Sequence, residues 1–301
     1  MPEAPINGIR LHYEIAGEGF PLIWCHELAG DCRSWESQVR FFSRRYRVVT
    51  FNARGYPPSD VPEDADAYTQ ERQVEDLHGL MRHLGVEQAF VGGLSMGGSV
   101  ALNFGLAHPG MARALIVAGT GTGSTEPGPY RRQVEWFARE LESQGMQALA
   151  DYARGPTRQQ FMRKDSRGWE AFNRRLVGFS AAGCALTLRG FPGRRPTVFE
   201  LEPGLRRLQV PTLIICGDED DPCIEPSLFM KRVIPRAGLA FFPRTGHTLN
   251  LEEPELFNRT VQDFLLAVEA GRWGEREFGT GVGFLAATPT AAAADNHRTK
   301  P

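Results

Sequence analysis

Short, predominantly apolar segments alternate with segments of helical periodicity, and this alternation constrains the fold more than any other feature. The apolar segments of the first half are 21–26, 47–51, 88–92 and 112–118. Helical patterns at 70–84 and 96–107 separate the last three of these segments. Strands that are apolar along their whole length are covered on both faces, as in parallel sheets connected by helices. The pattern predicts an α/β fold with a mostly parallel central sheet.

The alternation stops after residue 121 and resumes near residue 209. Between them, residues 122–208 show helical patterns without a clear strand. Apolar segments return at 211–216 and 239–242, with a helix expected near Ser227 to Val233 between them. We expect a core of residues 1–121 and 209–272, interrupted by a helical cap of residues 122–208. Residues 273–301 are rich in Gly, Ala and Thr and are predicted to form a flexible tail.

Composition excludes several classes of function. The 34 basic and 36 acidic residues leave a net charge of −2, which does not favour nucleic-acid binding. The five cysteines fit neither a disulfide framework nor a metal site with paired cysteines, so no metal or cofactor is expected. No secretory leader and no apolar segment of membrane-spanning length is recognisable, which predicts a cytoplasmic protein without a membrane span.

The segment Gly93-Leu94-Ser95-Met96-Gly97 fits the pattern G-x-S-x-G. A predicted strand precedes it and a predicted helix follows it, which is the context of a nucleophile elbow. Small residues on both sides of the serine let strand and helix approach closely, and the helix N-terminus favours developing negative charge. We identify Ser95 as the candidate nucleophile.

A serine nucleophile needs a base and an acid that orients the base. Of the seven histidines, His247 lies in a Gly-containing loop directly after the last predicted strand, which places it at the same sheet edge as Ser95. The loop after the strand at 212–216 carries four candidate acids: Asp218, Glu219, Asp220 and Asp221. The chain order of serine, acid and histidine is that of the nucleophile-elbow enzymes.

Over roughly residues 9–270 the chain resembles the α/β-hydrolase family, in its esterase/lipase-like branch with a helical cap. The resemblance rests on the elbow, on Gly217-Asp218-Glu219-Asp220, and on Gly246-His247 followed by Leu251-Glu252-Glu253-Pro254. It implies that the acid stands three residues after the glycine that closes its strand, which selects Asp220.

The resemblance also implies an oxyanion hole made by the backbone N–H groups of Leu28 and Met96. Glu27 stands where the family has a glycine after His26, and Pro57 replaces a glycine in the segment 52–59. His26 and Glu27 are therefore candidate neighbours of the substrate site. Glu27 either points away from the reacting carbonyl or binds a donor. We expect it to be held by a hydrogen bond or an ion pair, with Arg54 or a cap arginine as candidate partner.

The predicted cap is basic, with 15 Lys and Arg against nine Asp and Glu. This excess either favours substrates that bear a carboxylate or belongs to solvated outer faces of the cap helices. The cap also carries seven aromatic residues, and those that face the site would form an apolar pocket: Tyr130, Trp136, Phe137, Phe161, Trp169, Phe172 and Phe179.

These observations predict a cofactor-free serine hydrolase that cleaves a small carboxylic ester or lactone. C–C bond hydrolysis and perhydrolysis by the same residues are alternatives, because a fold does not determine its chemistry. A non-catalytic receptor for small ligands on the same scaffold is a further alternative, against which the complete Ser, His and Asp set argues. The sequence does not indicate an oligomeric state.

Overall fold

The computed structural model describes residues 2–275, whose strands form one eight-stranded sheet. The strands, in chain order, are β1 (Glu3–Ile6), β2 (Ile9–Ala16), β3 (Pro21–Cys25), β4 (Arg47–Phe51), β5 (Ala89–Leu94), β6 (Ala112–Ala118), β7 (Thr212–Gly217) and β8 (Ala237–Phe242). Their order across the sheet is β1-β2-β4-β3-β5-β6-β7-β8. β2 is antiparallel to β1 and β4, and the strands from β4 to β8 are parallel. The predicted α/β-hydrolase fold is confirmed.

Helices cover both faces of the sheet. In chain order they are α1 (Glu36–Phe42), α2 (Gln70–His83), α3 (Met96–Ala107), α4 (Pro127–Gln144), α5 (Leu149–Ala153), α6 (Gln159–Lys164), α7 (Ser166–Leu176), α8 (Ala181–Gly190), α9 (Glu202–Leu205), α10 (Asp221–Val233), α11 (Leu249–Glu252) and α12 (Pro254–Glu269). Side chains of adjacent strand residues enter opposite cores, as Phe90 and Val91 do in β5. Burial on both faces explains why the central strands are predominantly apolar.

The register of the parallel strands brings the loops that follow them together. Cys25 pairs with Gly93, and Leu94 pairs with Ala118. Further along the sheet, Gly217 pairs with Phe242. The loops after β3, β5, β7 and β8 therefore leave the same edge of the sheet, where ligand sites of open α/β sheets lie.

Helices α4–α9 fill the chain between β6 and β7, and within this described stretch no strand interrupts them. They coincide with the segment predicted to be a cap. In the part of the chain that the structure describes, none of the helices has the length and hydropathy needed to cross a membrane.

Two elements depart from the sequence-based expectations. Strand β1 was not predicted, since it is only four residues long and contains Pro5, which a strand tolerates at the edge of a sheet. Helix α10 begins at Asp221 rather than near Ser227, because Pro222 lies in its first turn and Pro226 is accommodated inside the helix.

The predicted tail boundary at residue 273 cuts through the packed core. The ring of Trp273 packs edge-on against Phe264, with 4.6 Å between centroids. Its indole N–H donates to the carbonyl oxygen of Arg236 at 2.9 Å. The core therefore extends at least to Trp273, and the remainder of the predicted tail, from residue 276 onwards, lies outside the described residues.

Candidate active site

Ser95 occupies the turn between β5 and α3, with backbone angles φ 58° and ψ −111°. A positive φ is strained for a residue with a side chain and is typical of a nucleophile elbow. The turn is also tight: a Cβ on Gly93 would lie 2.2 Å from the carbonyl carbon of Gly97. The N–H of Ser95 donates to the carbonyl oxygen of Ala118 at 2.8 Å. The sequence around Ser95 thus has small residues where the backbone needs them.

His247 and Asp220 form a hydrogen-bonded pair in the loops that follow β8 and β7. Nδ1 of His247 lies 2.8 Å from Oδ2 of Asp220, and the two residues are 6% and 1% exposed. Burial alone would raise the pKa of the Asp220 carboxyl, but the charge of His247 and its hydrogen bond outweigh burial and lower that pKa below its ordinary value. Asp220 therefore stays a carboxylate that accepts from the imidazole. Asp221, the neighbouring candidate, is exposed.

The three predicted residues meet at one cavity of about 630 Å³. Ser95, Asp220 and His247 all line it, as do Leu28 and Met96. The structure thus brings together every residue that the sequence suggested for nucleophile, base, acid and oxyanion donors.

The two expected oxyanion donors are backbone amides with free hydrogen-bonding capacity. Met96 is the first residue of α3, where an N–H has no partner within the helix. Within residues 2–275, neither this N–H nor that of Leu28 donates to a protein acceptor. Both residues line the cavity, so the geometry is suited to holding a negatively charged oxygen.

His26 does not line the cavity that contains Ser95, in contrast to its prediction as a substrate neighbour. Its Nδ1–H donates to the carbonyl oxygen of Glu27 at 2.7 Å, and its Nε2 accepts from the N–H of Ala53 at 2.9 Å. Burial lowers the pKa of the imidazole. His26 therefore ties the loop that carries Leu28 to the segment after β4.

Glu27 likewise lies behind the cavity rather than in its wall. Its side chain is 1% exposed, and Oε1 accepts from the hydroxyl of Ser34 at 2.9 Å. The expected arginine partner was wrong, because Arg54 forms a buried ion pair with Asp76, with Nε 2.6 Å from Oδ2. The expectation of a hydrogen bond to Glu27 is confirmed, with a hydroxyl as the donor.

Residues 122–208 form much of the remaining cavity wall. Of the seven aromatic candidates, three line the cavity: Tyr130, Trp136 and Phe137. The other four are buried among the helices: Phe161, Trp169, Phe172 and Phe179. The sequence did not single out Tyr152, Phe191 or Arg158, which also line the cavity. The basic composition of the segment was the only signal for Arg158.

The loop that carries His247 is hydrogen-bonded to the segment between α5 and α6. The N–H of His247 donates to the carbonyl oxygen of Thr157 at 2.7 Å. The N–H of the preceding residue, Gly246, donates to Oε2 of Glu252 at 3.0 Å. The backbone at the histidine is therefore held by one group from the segment between α5 and α6 and by one side chain of α11.

Residues 19–260 match the model of the alpha/beta hydrolase family, so the chain belongs to that family. A 2-hydroxymuconate semialdehyde hydrolase of Pseudomonas putida is 31% identical over 279 residues, which cover 87% of this chain and 93% of the relative. Among solved structures, the enol-lactonase from Burkholderia xenovorans LB400 has a TM-score of 0.77 and 27% identity, covering 88% of this chain and 100% of that one. A thermophilic esterase from Thermogutta terrifontis has a TM-score of 0.77 and 26% identity, covering 86% and 94%. The chain is accordingly a hydrolase.

Proposed function

We propose that this hydrolase cleaves a carboxylic ester or lactone through an acyl-enzyme formed on Ser95. The observation that carries the proposal is the convergence of Ser95, on a strained elbow, with the hydrogen-bonded pair of His247 and Asp220 in one cavity. Among the similar structures, an enol-lactonase and an esterase support the choice of an ester or lactone carbonyl.

In the first half-reaction, the hydroxyl oxygen of Ser95 attacks the carbonyl carbon while Nε2 of His247 takes its proton. Asp220 holds the imidazole in the tautomer with hydrogen on Nδ1 and stabilises the imidazolium that forms. The carbonyl oxygen becomes negative and accepts from the N–H groups of Leu28 and Met96. The C–O bond to the leaving group then breaks, and His247 protonates the departing alkoxide.

In the second half-reaction, water attacks the acyl carbon while His247 takes one of its protons. The bond from the carbon to Ser95 breaks, and the proton on His247 returns to the serine oxygen. The products are a carboxylic acid and an alcohol, or one hydroxy acid from a lactone. Water is the only co-reactant of this scheme.

Hydrolysis of a C–C bond is the second candidate. The semialdehyde hydrolase from Pseudomonas putida favours it, because the substrate in its name is a semialdehyde rather than an ester. Such a reaction needs a carbon leaving group that is protonated at carbon. The same cavity and the same three side chains serve either reaction, so substrate turnover decides between them.

Turnover of p-nitrophenyl esters with acyl chains from acetyl to dodecanoyl tests the proposal. We expect hydrolysis with a preference for one range of chain length, and loss of nearly all turnover in Ser95→Ala. A purified, folded protein that hydrolyses none of these esters and no simple lactone would contradict the proposed function. Ring-fission products of catechols, offered in the same assay, then test C–C bond hydrolysis.

A further inference from the structure

The cationic side chain of Arg158 lies in the cavity wall without an anionic partner among the described residues. Arg158 lines the cavity and is only 4% exposed. Within the described residues it makes one hydrogen bond, from Nη1 to the hydroxyl of Thr157 at 3.4 Å, and its buried Nε has no acceptor there. No described carboxylate lies within ion-pair distance of it. Burying a guanidinium in this way is costly unless a partner arrives with a ligand.

The ring of Tyr152 orients the guanidinium without satisfying it. The Cζ atom of Arg158 lies 3.8 Å from the centroid of that ring. Stacking occupies the face of the guanidinium plane, whereas its N–H groups point outward within the plane. Nε and Nη2 of Arg158 therefore have no acceptor among the described residues and are left for a planar acceptor.

A second arginine of the cavity wall provides a contrast. Nη2 of Arg195 donates to the carbonyl oxygen of Thr122 at 2.7 Å, so part of its fork is already engaged. The acidic groups facing the cavity do not neutralise Arg158 either. Asp220 is bound to His247, and Glu140 accepts from the side chain of Gln144.

The position of Arg158 relates it to the reacting groups. It directly follows Thr157, whose carbonyl oxygen accepts the N–H of His247 at 2.7 Å. Burial raises the pKa of Asp220, and the groups that lower it are His247, then Cys223, and last the positive charge of Arg158. An anion held by Arg158 therefore sits in the same cavity as the carbonyl that Ser95 attacks.

We propose that Arg158 binds a carboxylate of the substrate, so that the substrate is an ester or lactone with a second, free carboxylate. A planar carboxylate with two oxygens matches the N–H fork of a single guanidinium. This inference rests on the proposed function for the identity of the reacting group, but the carboxylate subsite rests on Arg158 alone. The competing interpretation is that Arg158 only packs against Tyr152.

Two esters of nearly the same shape separate these interpretations. One is the p-nitrophenyl monoester of adipic acid, and the other carries an isopropyl group in place of the free carboxylate. The measured quantity is the ratio of kcat/KM for the charged ester to that for the neutral ester. Because both esters meet the same triad, a general loss of folding or of catalysis cancels in this ratio.

We expect the wild-type ratio to exceed one, and Arg158→Gln to lower it by at least about tenfold, the effect of losing roughly 1.4 kcal/mol of binding to the charged group. Arg158→Lys keeps the charge but loses the paired N–H groups of the guanidinium, so its ratio should lie between those of Arg158→Gln and the wild type. Arg163→Gln is the matched control, since it removes the same charge from an exposed position in α6 and should leave the ratio within about twofold. A wild-type ratio of one or less, or an unchanged ratio in Arg158→Gln, would overturn the proposal.

A binding measurement keeps this test independent of turnover. The charged ester is titrated by calorimetry into Ser95→Ala and into Ser95→Ala with Arg158→Gln. We expect the second protein to bind at least about tenfold more weakly. Equal affinities overturn the carboxylate subsite. If wild-type protein hydrolyses neither ester while the affinities differ as expected, the proposed function fails and the subsite stands.

Discussion

The backbone N–H of His247 donates to the carbonyl oxygen of Thr157 at 2.7 Å, across the boundary between the core and the helical insertion. These residues are 90 positions apart in the chain, and each belongs to a loop at the cavity. The contact fixes the backbone of the candidate base and, at the same time, places Arg158 in the cavity wall. A displacement of the insertion would therefore move the base and the proposed carboxylate subsite together.

Gly246 makes this approach possible, and Gly246→Ala should disrupt it. A Cβ at this position would lie 2.1 Å from the carbonyl oxygen of Thr157, so backbone would have to move. We expect a loss of about 1–3 kcal/mol of stability, the usual cost of overpacking, and a lower kcat. Gly110→Ala is the control, because its added Cβ meets nothing within 4 Å. Equal melting temperature and kcat in the two variants would contradict the expectation.

Ser95 should be the residue that an organophosphate modifies. The strained elbow exposes its hydroxyl to the cavity that also contains His247. Peptide mass spectrometry of labelled protein should locate the adduct on Ser95, and Ser95→Ala should take up no label while keeping its circular dichroism spectrum. Ser99→Ala is the matched control, since Ser99 lines the same cavity from inside α3. An adduct on Ser99 or elsewhere would refute the assignment of the nucleophile.

The acid assignment predicts unequal effects at two adjacent residues. Asp220→Asn removes the charge that accepts from Nδ1 of His247 and favours the wrong imidazole tautomer. The corresponding change in a serine protease costs about 10⁴-fold in kcat, and we expect a loss of several orders of magnitude here. Asp221→Asn should change kcat by less than about threefold, because this side chain is exposed. An inactive Asp221→Asn variant beside an active Asp220→Asn variant would show that the acid is misassigned.

The fold was predictable where one local signal dominated. Strand β6 and helix α3 were located to the residue, because an apolar segment interrupted only by Arg113 and a Gly-rich helix start mark their limits. The elements that were missed or shortened, β1 and the start of α10, contain prolines whose effect depends on position. A proline at a sheet edge or in the first turn of a helix is harmless, but sequence alone does not reveal that position.

The candidate site was predictable to the extent that chain order and loop position indicated it. Ser95, Asp220 and His247 each lie in the turn or loop that follows a strand of the sheet, and the parallel topology then brings these loops together. Arg158 was not predictable, because it is one of 14 arginines in residues 122–208. That Arg158 has no carboxylate beside it depends on tertiary packing. The same is true of the hydrogen bond between Glu27 and the hydroxyl of Ser34.

The buried imidazole of His26 should make stability depend on pH. Burial lowers its pKa, so below about 6.5, the ordinary histidine value, the unfolded chain takes up a proton that the native state excludes. The free energy of unfolding should therefore fall as the pH falls from about 6.5 towards the pKa of the native state. Urea titrations of His26→Asn should show a smaller pH dependence between about pH 6.5 and 5, by up to about 1.4 kcal/mol per pH unit.

The same titrations contain a control and a contrary outcome. His83 is exposed, and His83→Asn should keep the wild-type pH dependence. If His26→Asn also keeps it, the native state admits a proton on His26, and the two hydrogen bonds of that ring do not require its neutral form.

Glu27 should maintain the conformation of the loop that carries the N–H of Leu28, without raising the energy of the negatively charged oxygen in the transition state. Its Oε1 accepts from Ser34 at 2.9 Å, its side chain does not line the cavity, and a Cβ on Gly30 would lie 2.5 Å from its carboxyl carbon. The carboxyl group thus fills the space that the absent side chain of Gly30 leaves. Glu27→Gln keeps both the volume and the acceptor for Ser34, so kcat/KM for neutral esters should stay within about threefold, less than about 1 kcal/mol.

Glu27→Ala is the informative partner of that variant. This substitution empties the space beside Gly30 and removes the hydrogen bond to Ser34, so the loop that presents the N–H of Leu28 loosens. We expect kcat to fall by tenfold or more. Complete removal of an oxyanion donor usually costs about 10²–10³ in kcat. Steady-state kinetics of both variants with one neutral ester measure the difference. A rate gain in Glu27→Gln with every ester would mean that the charge opposes the oxyanion, since a nearby unpaired carboxylate raises the energy of an anionic transition state.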